Sequence, residues 1–281
     1  MHTFRTILIW LGIAFLSAPV YAKSVIFMIG DGMGYNHIDC VNAQESLFMS
    51  SLRPHFVRTS SADNIVTDSA ASATAYACGI KTNNEYLGMA PDGEICETLA
   101  EKALVRGVEV YIATTDNKYG ATPSAFYVHT DSRHNKSDID KYRDMVEKKM
   151  HLSFDVPSVY EVVQDVLRQI DEDPTKDYFI VVEGAKIDKA SHENDRHWMV
   201  QELIDFDKAV RLVWQYAEKH NVAVVVTADH ETGNLQDNTC QFGSHQHSNA
   251  NVPLYTKGLY KKVPDVVDNT EIYKIIDYTL Y

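Results

Sequence analysis

The chain has 281 residues, 45% of them hydrophobic, and a formal net charge of −13. That length suffices for one large α/β core, and the acidity argues against nucleic acid as a partner. An anionic substrate would need positive charge supplied locally, by a metal or an arginine.

The first residues read as an export signal. Arg5 precedes an apolar run from Ile7 to Leu16, and Val20-Tyr21-Ala22 suits signal peptidase. The run is too short and wrongly flanked for a membrane span. Residues 1–22 are therefore expected to be a signal peptide and residues 23–281 a single domain, exported to the periplasm or secreted. No cysteine follows the expected cut, so no lipid or other membrane anchor is expected. Cys40, Cys78, Cys96 and Cys240 contain no C-x-x-C pair, which argues against a thiolate zinc site. An oxidising compartment leaves three pairings open, and four free core thiols are a further possibility.

Ser24 to Ile29 reads as a buried strand, ended by Gly30-Asp31-Gly32-Met33-Gly34. The glycine spacing fits neither the P-loop nor the dinucleotide fingerprint. Asn64 to Gly79 holds Thr67, Asp68 and Ser69, which are helix-starting residues. An alanine-rich helix follows, and Gly79 can end it. A hydroxyl there faces backbone N–H groups and the positive helix end, a place that attracts phosphate. In the bland reading Ser69 only caps a buried helix.

Ile95 to Val105 predicts a helix and Val108 to Ala113 a strand. The charged stretch from Asn135 to Lys149 reads as an exposed helix or loop. Val159 to Ile170 has clear amphipathic periodicity. Tyr178 to Val182 is a third buried strand, ending in Glu183-Gly184. A long helix runs from Met199 to Ala217. Val222 to Val226 is a fourth strand, closed by Thr227-Ala228-Asp229-His230, and a last helix surrounds Ile272, Ile275 and Ile276. Strands alternating with helices predict an α/β fold: a doubly wound, mostly parallel central sheet with helices on both faces.

Asp31, Glu183 and Asp229-His230 each stand at the carboxyl end of an expected strand, the edge where open α/β sheets bind ligands. Asp188 and His192 are spaced i, i+4, so a helical turn puts both on one side. His245 and His247 share a loop. Asp, Glu and His are ligands for zinc and similar ions. There are more of them than one tetrahedral ion can use, which points to two or more metals, the arrangement that clamps an in-line phosphoryl transfer. A metal beside Ser69 would make its hydroxyl a nucleophile. The absence of G-x-S-x-G disfavours an acyl hydrolase. Taken singly, the remaining histidines, among them His37 and His129, read as satisfied core or surface residues.

These motifs resemble the alkaline phosphatase family, of the metal-dependent phosphatase and sulfatase superfamily. The resemblance rests on five stretches: Gly30 to Gly34; Val66 to Ala75; Ala121-Thr122-Pro123 with Arg133; Val182 to His192; and Thr227 to Gly233 with His247. It implies hydrolysis of small phosphate monoesters through a phosphoserine on Ser69. It implies a zinc held by Asp31, Asp229 and His230 beside Ser69, and a second zinc held by Asp188, His192 and His247. A third ion, magnesium, would be held by Asp31, Thr122 and Glu183. Arg133 would grip phosphoryl oxygens through its fork, Asp68 would orient Arg133, and Lys189 would contact phosphate through water. His245 would be a bystander. The resemblance also implies a homodimer.

The chain departs from that pattern in three places. Gly120 stands where many relatives carry Asp or His, which bears on the magnesium site. Only about fifty residues separate Arg133 from Glu183, and the loop from His230 to His247 is short. A compact version without large insertions and with an open cleft is therefore expected. Two alternatives remain: a phosphodiesterase or nucleotide hydrolase on the same scaffold, or a metal- or phosphate-binding protein without turnover.

Overall fold

A computed structural model describes residues 24–236 and 240–281; the expected signal peptide at 1–22 lies outside the described residues. In chain order the elements are β1 (Ser24–Gly30), α1 (Tyr35–Asn42), β2 (His55–Arg58), α2 (Ser69–Cys78), α3 (Leu99–Val105), β3 (Glu109–Thr114), α4 (Ala121–Ser124), α5 (Lys136–Val146), β4 (His151–Ser153) and α6 (Val159–Glu172). They continue with β5 (Tyr178–Gly184), α7 (Lys186–His192), α8 (Arg196–Ala217), β6 (Val222–Thr227), β7 (Glu231–Thr232), β8 (His247–Ser248), β9 (Val252–Lys257), β10 (Val266–Asp268) and α9 (Asn269–Leu280).

The described strands form an eight-stranded sheet in the order β10-β2-β9-β6-β1-β5-β3-β4, with β7 and β8 as a separate ribbon. Its centre, β6-β1-β5-β3, is parallel, and every residue of β1, β5 and β6 is buried. Strands covered on both faces read as continuous apolar runs, which is why these four were legible in the sequence. Within the eight-stranded sheet of the described residues only β9 runs antiparallel, to both β6 and β2. Sequence reading passed over β2, β9 and β10, which are short or begin at a proline-containing, mixed-polarity stretch.

Helices cover both faces. Ile26, Ile180 and Val182 meet Val163, Val166 and Val213 of α6 and α8. One residue along β1, Phe27 turns the other way, edge-on to Tyr76 of α2 and to Phe126. This is the period-2 alternation of a strand. Each such buried side chain contributes about 1.5–3 kcal/mol. The helix expected from Ile95 starts later, at Leu99, because Thr98 and Glu101 form a reciprocal capping box. Between Arg133 and Glu183 the chain adds only α5, α6 and the short edge strand β4, so the fold is compact.

All four cysteines are paired among the described residues, Cys40 with Cys240 and Cys78 with Cys96, so the reading of four free thiols is corrected. No described helix is long and apolar enough to cross a membrane.

Candidate active site

The parallel register brings the strand ends to one edge. Ile29 lies beside Glu183 on one side and Thr227 on the other, and Thr114 lies beside Glu183. Asp31 therefore leaves β1 next to Glu183, and Asp229-His230 leaves β6 alongside. Gly32 follows with φ +73°, and a Cβ there would stand 2.8 Å from Asp188 Cα. Glycine is required so that the β1 turn can touch α7; Gly32 N–H also donates to Asp229 Oδ1 at 3.1 Å.

The serine helix is fixed to the same edge. Asp68, not Ser69, is the N-cap: its Oδ1 accepts from Ala71 N–H at 2.9 Å, which places Ser69 at the first helical position. All ten residues of α2 are buried, and Gly79 ends it in the left-handed conformation. Ser72 Oγ donates to the Asp229 carbonyl at 2.8 Å, and Tyr76 Oη to that of Ala228 at 2.5 Å. The alanines allow this close packing, and the two hydroxyls set the height of the helix. As a result Ser69 Oγ stands 3.3 Å from His230 Nε2.

Two donor groups surround that hydroxyl. Asp31, Asp229 and His230 offer atoms all within 4.8 Å of one another, as do Asp188, His230 and His247. His230 Nε2 is 3.2 Å from Asp229 Oδ2 and 3.6 Å from Asp31 Oδ1. His192 joins the second group, its Nε2 3.3 Å from Asp188 Oδ2 and 3.1 Å from His247 Nε2.

The histidines are presented in one sense. Thr232 Oγ1 donates to Asp188 at 2.5 Å and so accepts from His230 Nδ1 at 3.2 Å. His247 Nδ1 donates to the Thr67 carbonyl and His192 Nδ1 to that of His245. Each ring thereby turns Nε2 toward the cluster, the arrangement that orients metal-binding imidazoles. His245 lies outside both donor groups but is bonded to His192, its own Nδ1 donating back to the His192 carbonyl at 2.6 Å. Thr232 went unassigned in the sequence; it lies within the Thr227–Gly233 stretch, and that was its only signal.

A third corner holds Glu183, Thr114 and Thr122. Thr114 Oγ1 donates to Glu183, a residue 2% exposed, and Thr122 is buried on α4. Lys189 Nζ is paired with the Asp116 carboxylate. Asp68 Oδ2 accepts from Arg133 Nη1 at 3.2 Å and from Glu85 N–H at 3.1 Å.

Carboxylates and imidazoles crowd this edge, and their electrostatics follow from that. Burial, then the charges of Asp229, Asp188 and Glu183, holds Asp31 well above the ordinary carboxylate range. Burial, reinforced by Asp116 and Asp229, pushes Glu183 up to about 8. Burial would also raise Asp188, but its hydrogen bond to His192 and the nearby His230 outweigh burial and hold it low. The same Asp188 bond raises His192 to about 9, while burial and then His230 lower His247 to about 4. Asp31 Oδ1, Asp229 Oδ2 and Thr122 Oγ1 are buried without a hydrogen-bond partner. Orphaned oxygens are costly. Orphaned oxygens, crowded carboxylates and convergent Nε2 atoms together form a donor set that could hold metal cations.

Comparison with known proteins agrees. The family model described as alkaline phosphatase matches residues 22–153 and 143–275. The chain is 26% identical to an alkaline phosphatase of Schizosaccharomyces pombe over 76% of its own length and 56% of that protein. It is 27% identical to alkaline phosphatase 3 of Bacillus subtilis over 75% of its length and 61% of that protein. It thus spans little more than half the length of these relatives. A variant alkaline phosphatase from the bacterium TAB5, solved with magnesium in its M3 site, superposes with TM-score 0.79 at 24% identity, covering 92% of this chain and 98% of that one. The Thermus thermophilus enzyme superposes with TM-score 0.78 at 16% identity, covering 92% and 91%. By the match of the family model to most of its length, this chain belongs to the alkaline phosphatase family.

Proposed function

We propose that residues 23–281 form a single catalytic domain that hydrolyses small phosphate monoesters through a phosphoserine on Ser69. The observation that carries this reading is the hydroxyl of Ser69, at the first position of α2 and 3.3 Å from His230 Nε2, against two groups of convergent metal donors.

In this reading Asp31, Asp229 and His230 hold one zinc, Asp188, His192 and His247 a second, and Asp31, Thr122 and Glu183 a magnesium. Bound there, such cations would lower the pKa of the serine hydroxyl, neutralise the leaving oxygen and supply a nucleophilic water at neutral pH. Ser69 Oγ gives up its proton to solvent and attacks phosphorus in line, as the ester oxygen departs opposite and takes a proton from water. The Arg133 guanidinium grips two equatorial oxygens, and Asp68 holds its plane through Nη1. N–H groups at the start of α2 face the same charge. Water then cleaves the Ser69–phosphate ester, phosphate leaves and Oγ regains its proton. Asp188 favours a proton on His192, and binding of a cation there would have to release it.

Family membership, the magnesium in the TAB5 neighbour and the orphaned oxygens support the metal assignment. The two disulfides support an oxidising compartment, and so export. The test is release of phosphate from an aryl phosphate at alkaline pH, before and after chelation, with zinc and magnesium restored separately. Labelled phosphate should be trapped on the wild type and not on Ser69→Ala. No turnover by the zinc-loaded protein refutes the reading, and faster turnover of a matched diester would favour a phosphodiesterase.

A further inference from the structure

Position 120 has no side chain, yet the space above it is filled. A Cβ on Gly120 would lie 3.0 Å from Asp116 Oδ2 and 3.2 Å from Asp116 Cβ. Gly120 has φ −55°, a conformation open to any residue, so it is the contacts with Asp116 and with the Asn117 carbonyl oxygen, 3.3 Å away, rather than the torsion, that crowd a side chain here. Asp116 Oδ1 accepts from Asn117 N–H at 2.8 Å and pairs with Lys189 Nζ. Its own N–H donates to Thr114 Oγ1 at 2.9 Å, and that hydroxyl donates to Glu183. Asp116 is thus wired at both ends to the third corner of the site: by its carboxylate to Lys189 of α7, and by its backbone, through Thr114, to Glu183.

We propose that Asp116 is a positioning residue of the Glu183 cation site, supplying from the β3–α4 loop the carboxylate that Gly120 lacks. The inference rests on the metal reading given above. Its physical content is charge placement. Glu183, Asp31 and Thr122 are buried, and Thr122 Oγ1 and Asp31 Oδ1 are orphaned. Lys189 carries a positive charge on the neighbouring helix and would oppose a cation. The Asp116 carboxylate neutralises that charge and adds its own field, since it acts on Glu183 from nearby. Its reach is through Lys189, Thr114 and the field rather than through a direct bond to the ion. Glycine at 120 and aspartate at 116 are in this account one device, because a side chain at 120 would press on the carboxylate and make it give way by a few tenths of an ångström.

The test is magnesium binding by calorimetry on the zinc-loaded chain, without substrate. Asp116→Asn keeps the shape and the backbone bond to Thr114 and removes the charge. It should weaken magnesium about tenfold or more, the size of outer-shell effects on metal affinity, and leave zinc binding unchanged. Asp116→Ala should weaken it similarly, and adding Gly120→Asp to that variant should recover most of the loss. Melting curves of each variant show that the fold is kept. Unchanged magnesium affinity in Asp116→Asn, or no recovery in the double variant, overturns the inference. A wild-type chain that binds magnesium through Asp116 but releases no phosphate overturns the phosphatase reading and leaves this inference standing. A wild-type chain that turns over yet binds no magnesium does the reverse.

Discussion

Replacing Asp68 by alanine removes three interactions at once. Oδ1 caps α2 through Ala71 N–H, and Oδ2 accepts from Glu85 N–H and from Arg133. Loss of the cap costs about 1 kcal/mol and loss of the Glu85 bond about 1 kcal/mol. The Arg133 pair, with side chains 28% and 17% exposed, adds about 0.5–1 kcal/mol. The sum of about 2.5–3 kcal/mol predicts a melting temperature about 5–12 °C lower, at about 2–4 °C per kcal/mol for a large domain. Asp68→Asn separates the parts. Its carbonyl still caps α2, but its amide turns toward Glu85 N–H and the guanidinium, so about half the thermal loss should remain. Freed from its anchor, Arg133 should bind phosphate about fivefold more weakly in both variants, an effect of about 1 kcal/mol. Scanning calorimetry and inhibition by inorganic phosphate measure the two effects independently. An alanine variant with wild-type melting refutes the capping argument. An asparagine variant with wild-type phosphate affinity refutes the claim that Asp68 aims Arg133.

Gly32→Ala forces a Cβ to within 2.8 Å of Asp188 Cα at a positive φ; it should destabilise by about 1–3 kcal/mol and reduce zinc retention, measured by metal analysis after gel filtration. Cys40–Cys240 ties the loop that carries His245 and His247 to α1. Replacing both cysteines by alanine should weaken zinc at the Asp188 group more than at the Asp31 group, and equal binding at both would refute this. In the cation-free protein, stability should fall from about pH 6.5 to 9. Glu183 keeps its proton up to about 8 when folded but loses it near 4.5 when unfolded, and His192 is raised from 6.5 to about 9. In that window the native state binds more protons, so unfolding becomes easier as pH rises. Melting of chelated protein that rises with pH across this range would refute the assignment. Metal loading should release protons for the same reason, which calorimetry in buffers of different ionisation enthalpy detects.

Much of this molecule is determined by local sequence. The buried parallel strands declare themselves as apolar runs because they are covered on both faces, and α2 because cap, alanines and Gly79 agree. The acids and imidazoles at the strand ends are legible for the same reason, since parallel strands send their carboxyl ends to one edge. The tertiary structure alone decided the rest. β9 and β10 have no period of their own that marks them; they become strands by pairing with neighbours distant in sequence. The cysteine pairing, the tautomers set by Thr232, Thr67 and His245, and the approach of Asp116 over Gly120 to Lys189 depend on contacts between residues as much as two hundred positions apart. No spacing along the chain encodes such contacts, because they exist only after the layers have packed.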